Sequence, residues 1–246
     1  MAFIFCLGVG ISLTFLNFSM MEEQPSIDLF GLVFHTPVTA LTDVVVALIC
    51  LGAYLKLGKL DQGYRGEIYR LFRYYFLSMS LATFFGGILG HALLHYLPFI
   101  AKLPGWITSM LSVALLERAL IRYASHTLSD QVGRFFSRLN ILELLFFLVL
   151  SLVTVNFKFV LAHAGYGIGI VTGGFGLYIF LTEKDHGSKK MLQGVLACIL
   201  GATCFVFKIG VSKWFNHVDV SHVFMMVASI FFYLGAKDLI IQSSQK

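Results

Sequence analysis

Apolar residues run along this chain in long unbroken stretches, interrupted at intervals of about a bilayer thickness by short charged breaks. The breaks are Lys56-Leu-Gly-Lys59-Leu-Asp61, Lys102-Leu-Pro104-Gly105, Asp130-Gln-Val-Gly-Arg134, Asn156-Phe-Lys158, Glu183-Lys184-Asp185-His186-Gly187 and Lys213-Trp-Phe-Asn216. Between them the pattern predicts seven spans, at 37–57, 71–99, 105–124, 139–157, 161–182, 190–212 and 218–241. A transmembrane helix needs roughly 20 apolar residues, so each stretch can cross a bilayer once. In lipid every backbone polar group must be satisfied internally, and these runs do not alternate as barrel strands would. The expected fold class is therefore all-α, a polytopic membrane helical bundle with a seven-transmembrane core over 37–241.

Residues 2–19 form a further apolar stretch, without the basic flank and small-residue cleavage site of a signal peptide. An uncleaved extra N-terminal helix and a peripheral segment are both open readings of it. The organisation is thus an N-terminal hydrophobic segment with an outer-side linker (1–36), the core, and a short cytoplasmic tail (242–246).

Composition strengthens this picture. Of 246 residues 58% are hydrophobic and 13% charged, against roughly 25% charged in a soluble domain, which excludes a water-facing surface. The net charge of +5 invites a nucleic-acid partner, but its distribution answers to the membrane instead. The first, third and fifth loops with the tail hold 13 of the 18 Lys and Arg, and the opposite loops hold Lys102, Lys158 and Lys213. By the positive-inside rule those odd loops and the C-terminus face the cytoplasm, as expected of a bacterial inner-membrane protein with membrane lipids, and no nucleic acid, as partners. The cysteines lie in apolar segments without CxxC spacing and read as buried helix residues.

Ionisable groups inside spans are expensive and each needs a partner. Asp43, His91, His95, Lys208, Asp219 and His222 all fall in the outer half of four predicted spans; Asp43, for example, is about six residues, or roughly 9 Å, below the edge. His217 lies just above them. A shared polar cavity near the outer face is the simplest account. His91-Ala-Leu-Leu-His95 has the i, i+4 spacing at which two imidazoles bind one metal from one helix face. Asp219-Val-Ser221-His222 can add a third imidazole, with a carboxylate as ligand or orienting partner. Hydrogen-bonded pairs holding helices in register are the alternative. Glu117, Arg118 and Arg122 read as a headgroup anchor near the inner end, with Glu143 a second partner for Arg118. Glycines cluster at Gly86-Gly87-Ile-Leu-Gly90 and from Gly165 to Gly176, where close helix packing is expected.

Leu41-Thr42-Asp43, Gly86-Gly87-Ile-Leu-Gly90-His91 and Asp219-Val-Ser221-His222 resemble motifs of uncharacterised bacterial seven-helix proteins similar to the CREST superfamily, which includes the alkaline ceramidases and the progestin and adipoQ receptors. The resemblance implies a zinc-dependent membrane hydrolase of lipid-like amides or esters. His91 and His222 would be zinc ligands, with His95, His217 or Asp219 in place of the third, since position 218 is Val. Asp43, Asp219 and Ser221 would assist catalysis, with Lys208 and His217 completing the polar cluster. A transporter, channel or small-ligand receptor using the same residues, and a purely structural membrane protein, are the alternatives from other classes.

Overall fold

The structure, a computed structural model, describes residues 24–60 and 62–244, so the apolar stretch 2–19 and the end of the tail lie outside the described residues. Seven helices long and apolar enough to cross a membrane follow one another: α1 (Pro37–Leu57), α2 (Glu67–Ala92), α3 (Phe99–Ala124), α4 (Gln131–Thr154), α5 (Phe157–Glu183), α6 (His186–Val206) and α7 (His217–Ser243). The protein is an all-α integral membrane bundle. Consecutive helices pack side by side, α3 also touches α5, and α7 returns to α1, closing the ring.

Several helices begin earlier than their apolar runs, because capping residues rather than hydropathy set their starts. The Ser129 hydroxyl accepts from the Val132 N–H before α4, and the Asp185 carboxylate accepts from Gly187 and Ser188 before α6. Each such side chain satisfies backbone donors that the first turn leaves orphaned. The polar first turns were invisible to a reading of apolar runs alone. At the other end the differences run the opposite way. α2 stops at Ala92 rather than 99, and α6 at Val206 rather than 212.

Two helices contain π-helical stretches, at Gly86–Ala92 in α2 and Gly165–Thr172 in α5. Both coincide with the glycine clusters. A π-turn inserts one residue into the helical register and re-aims the side chains that follow it.

The linker 20–36, expected as a plain connection, contains an antiparallel hairpin, β1 (Ile27–Leu29) with β2 (Leu32–Phe34). Its turn residues Phe30 and Gly31 both have positive φ (58° and 78°), the geometry that matches strand twist in a two-residue hairpin loop. The Val33 N–H donates to Tyr96 Oη and the His35 N–H to the Ala92 carbonyl, so the hairpin is pinned to the end of α2. The main apolar core lies between α1, α2, α3, α6 and α7, with Phe72, Phe76, Tyr123, Met191 and Phe232 among its fully enclosed side chains. Exposed Leu142, Leu145, Phe146 and Val149 give α4 a lipid-facing stripe.

Candidate functional site

At the hairpin end, three helices bring Asp43, His91 and His222 together. Gly86 and Gly87 permit this. A Cβ at position 87 would stand 2.8 Å from the Ala40 carbonyl oxygen and 3.0 Å from Asp43 Cβ, so α2 and α1 touch through bare backbone at the depth of Asp43. Gly105 brings α3 nearly as close, since a Cβ there would sit 3.2 Å from the Gly86 nitrogen.

Asp43 is 6% exposed and presents one oxygen to each imidazole. Its Oδ1 is 3.4 Å from His222 Nε2 and its Oδ2 is 4.0 Å from His91 Nε2. The far nitrogens of both rings are held by hydroxyls. Thr42 Oγ1 lies 2.8 Å from His222 Nδ1, and Thr36 Oγ1 lies 3.1 Å from His91 Nδ1.

The Thr42 hydroxyl has one proton and two acceptors in reach, the Thr39 carbonyl at 3.0 Å and His222 Nδ1 at 2.8 Å. When the proton goes to the carbonyl, the hydroxyl oxygen accepts from His222, and Nδ1 carries the ring proton. In the neutral ring Nε2 then offers a lone pair directly to the Asp43 carboxylate. Two acceptors facing each other call for a cation, a proton or a metal, between them. Thr36 supports the same arrangement under strain. It occupies the N-cap position of α1 with φ 40°, an uncommon conformation for a β-branched residue, and its hydroxyl serves His91 instead of the helix. The N–H groups of Val38 and Thr39 are capped by Gln24 Oε1 in its place, at 3.1 and 3.2 Å.

Replacing Thr42 by Val keeps the shape and removes the acceptor for His222 Nδ1–H. For a metal held between these groups, loss of such an orienting partner typically lowers affinity by about 10–100-fold, which a chelator-competition titration checks.

The other residues singled out from the sequence lie elsewhere. Asp219 is fully buried, but both its oxygens are committed: Oδ1 accepts from Thr39 Oγ1 (2.8 Å), and Oδ2 from Gln24 Nε2 (3.0 Å) and the Asn216 N–H (2.7 Å). With Asn216 it forms the capping box that starts α7. Ser221 donates its hydroxyl to the Val218 carbonyl at 2.6 Å. His217, at the first position of α7, packs its ring 5.6 Å from that of Phe205.

Two expectations are corrected. His95 does not share a face with His91, because the π-turn breaks the i, i+4 register and α2 ends at Ala92. His95 is exposed and rests edge-on against Tyr96. Lys208 is not within a span either. It lies in the exposed loop beyond Val206, at φ 54°, because α6 ends a full turn and a half sooner than its apolar sequence continues.

A second polar cluster, which the sequence reading missed, lies deeper, between α3, α4 and α5. One donor atom from each of Glu117, Glu143 and His163 comes within 4.8 Å of the other two. His163 Nδ1 is 2.6 Å from Glu143 Oε1, and its Nε2 is 2.9 Å from the Met110 carbonyl. Arg118 does not snorkel beside Glu117. It crosses to α4, donating to Asn140 Oδ1 (2.9 Å) and the Ser137 carbonyl (2.7 Å). The same Asn140 donates to Glu117 Oε2 at 3.2 Å. A start of α4 at position 139 would put Glu143 near the edge of the helix. With α4 beginning at Gln131 it sits near mid-helix.

Fold and geometry together define a seven-helix membrane protein with two buried carboxylate–imidazole clusters, one near the hairpin end and one at mid-depth. A family model matches residues 38–241, and the chain belongs to that family, DUF6962, a family of unknown function. No curated protein and no solved structure matches the chain.

Proposed function

We propose that the protein is a zinc-dependent integral membrane hydrolase acting on a lipid-like amide or ester at the Asp43–His91–His222 cluster. The observation that carries this reading is the opposition of the Asp43 carboxylate to the Nε2 atoms of two imidazoles whose Nδ1 atoms rest on threonine hydroxyls. That is the arrangement in which histidines bind metal with an outer hydrogen bond fixing the ring.

The donor set fits zinc in chemistry and partly in spacing. Tetrahedral ligands about 2.0–2.1 Å from zinc stand about 3.3–3.5 Å apart. The Asp43–His222 separation of 3.4 Å meets this, while the 4.0 Å to His91 makes that imidazole the looser ligand. Bound there, zinc would supply an activated water and a positive charge to polarise a carbonyl. The chain's own groups do the rest. Asp43 would complete the donor set, and Thr42 and Thr36 keep the rings oriented. Below the cluster Val46, Cys50, Ala53 and Leu57 close the path along α1, so the site faces one side and excludes water from the other. With positive loops in the cytoplasm of a bacterial inner membrane, that side is the outer leaflet, the source of lipid-like substrate.

Elemental analysis of protein purified in detergent should show His222→Ala holding one zinc equivalent less than wild type, with cleavage of short-chain amide or ester lipids lost in parallel. Equal zinc contents in the two proteins would overturn the reading.

The second cluster favours a second reading, a proton-coupled carrier, because intramembrane ionisable groups mark proton relays in transporters. Proton flux into proteoliposomes that disappears in Glu143→Gln, without any zinc dependence, would select it instead.

A further inference from the structure

We propose that Glu117, Glu143 and His163 form a second site, within the membrane, for one divalent first-row transition-metal ion. The three residues come from α3, α4 and α5, whereas the Asp43 cluster is built from α1, α2 and α7, so the two sites share no helix.

The argument starts from His163. The Met110 carbonyl can only accept, so the ring nitrogen facing it, Nε2, carries the proton. Nδ1 is thereby left as the lone-pair nitrogen in the neutral ring, directed at a carboxylate oxygen 2.6 Å away. A proton between Nδ1 and Glu143 Oε1 answers that contact alone. It leaves a second carboxylate, and it leaves Glu143 Oε2 and Glu117 Oε1 enclosed with no hydrogen-bond partner. Glu117 is fully buried and Glu143 is 8% exposed, so neither carboxylate lies open to bulk solvent. Buried carboxylates left this way are costly unless they are paired or coordinate a metal. A neutral imidazole with two ionised carboxylates carries two negative charges, which one divalent ion balances while engaging all three donors.

The ligand types narrow the ion. Calcium takes six to eight oxygens and magnesium keeps near-ideal octahedral oxygen geometry, whereas an imidazole with carboxylates suits zinc, iron, cobalt or manganese. The surroundings are built to hold these ligands. Asn140 fixes Glu117 through Oε2 and is itself fixed by Arg118 and by donating to the Ala114 carbonyl. Gly167, in the π-helical stretch of α5, leaves room for the Glu117 carboxylate, with which any Cβ at that position would collide. Glu117 also borders a small gap between α3, α4 and α5, lined by Phe136, Asn140, Tyr166 and Val171.

The test uses full-length protein in detergent, stripped with chelator, loaded with Co2+ and desalted. His222→Ala should retain one cobalt equivalent with visible d–d absorption. Adding Glu117→Gln or Glu143→Gln to it should reduce that equivalent to background. Glu117→Gln preserves the shape of the side chain and an acceptor for Asn140. Its metal-free thermal midpoint should equal or exceed that of the parent, while the midpoint rise that Co2+ produces in the parent disappears. A His222→Ala protein that holds no cobalt, or glutamine variants that hold as much as their parent, would overturn the proposal. Failure of the Asp43 site shows separately, as equal metal content in wild type and His222→Ala.

Discussion

Asp219→Ala should lose about 3–4 kcal/mol of stability, from a lost helix cap together with hydrogen bonds to a buried charged group. The carboxylate receives three donors, Thr39 Oγ1, Gln24 Nε2 and the Asn216 N–H, and it is fully enclosed. Two helix starts depend on it. Asn216 and Asp219 cap α7 reciprocally, and Gln24, which caps α1 with its oxygen, is held by Asp219 through its nitrogen. Asp219→Asn should lose less, because the amide can turn its oxygen to the two N–H donors at the Oδ2 position and its nitrogen to the Thr39 hydroxyl, which can accept. Asp43→Asn should keep the fold, because its amide can donate to the His222 Nε2 lone pair, and under the proposed function it should weaken cation binding. Equilibrium unfolding in mixed micelles, run on all three variants, checks the contrast. A stable Asp219→Ala would remove the structural role assigned to this carboxylate.

That contrast explains how much of the site was legible in the chain. The convergence of Asp43, His91 and His222 followed from depth alone, because each lies within two turns of a helix end and the register over so short a distance drifts little. Asp219 was legible as a polar residue at the right height, but its role was not. Whether a carboxylate faces a ligand or a set of backbone donors depends on which way one helix turn points. The Asn216-x-x-Asp219 pairing at the start of α7 was the available signal, since a side-chain cap followed three residues later by an acidic residue marks a helix start. His95 and Lys208 were misplaced for one shared reason, that apolar sequence continues past the point where the helix ends. Leu93 and Leu94 follow the π-turn as turns, and Phe207 and Ile209 are exposed in a loop. Hydropathy reports the medium a residue prefers and says nothing about where the backbone stops coiling.

The same limit hid the Glu117–Glu143–His163 cluster. Glu143 stands in an apolar run four residues from the expected start of its helix, and His163 two residues from the expected start of the next. At that position Glu143 reads as a partner for Arg118 near a helix end. Capping by Ser129 and Asn156 lengthens α4 and α5 toward their N-termini, and that extension carries both residues into the interior, facing each other.

Gly87→Ala is expected to damage stability and site together, and comparison with Gly52→Ala isolates the reason. Both glycines lie inside helices, where alanine is intrinsically favoured by up to about 1 kcal/mol. At Gly52 nothing lies within 4 Å of a new Cβ, so the substitution should be neutral or stabilising. At Gly87 the new methyl would meet the Ala40 carbonyl oxygen at 2.8 Å and Asp43 Cβ at 3.0 Å. One obstacle is backbone and the other belongs to the residue that carries the site, so neither yields by a rotamer change. α1 and α2 must part, at a cost of about 1–3 kcal/mol for overpacking. Because Asp43 is on α1 and His91 on α2, the same displacement lengthens their 4.0 Å separation, while His222, on α7, need not move. If the Asp43 cluster holds zinc as proposed, its affinity should therefore fall along with the thermal midpoint in Gly87→Ala, and neither should fall in Gly52→Ala. Under the proposed function, a Gly87→Ala protein that melts lower yet binds zinc as wild type does would exclude His91 as a ligand.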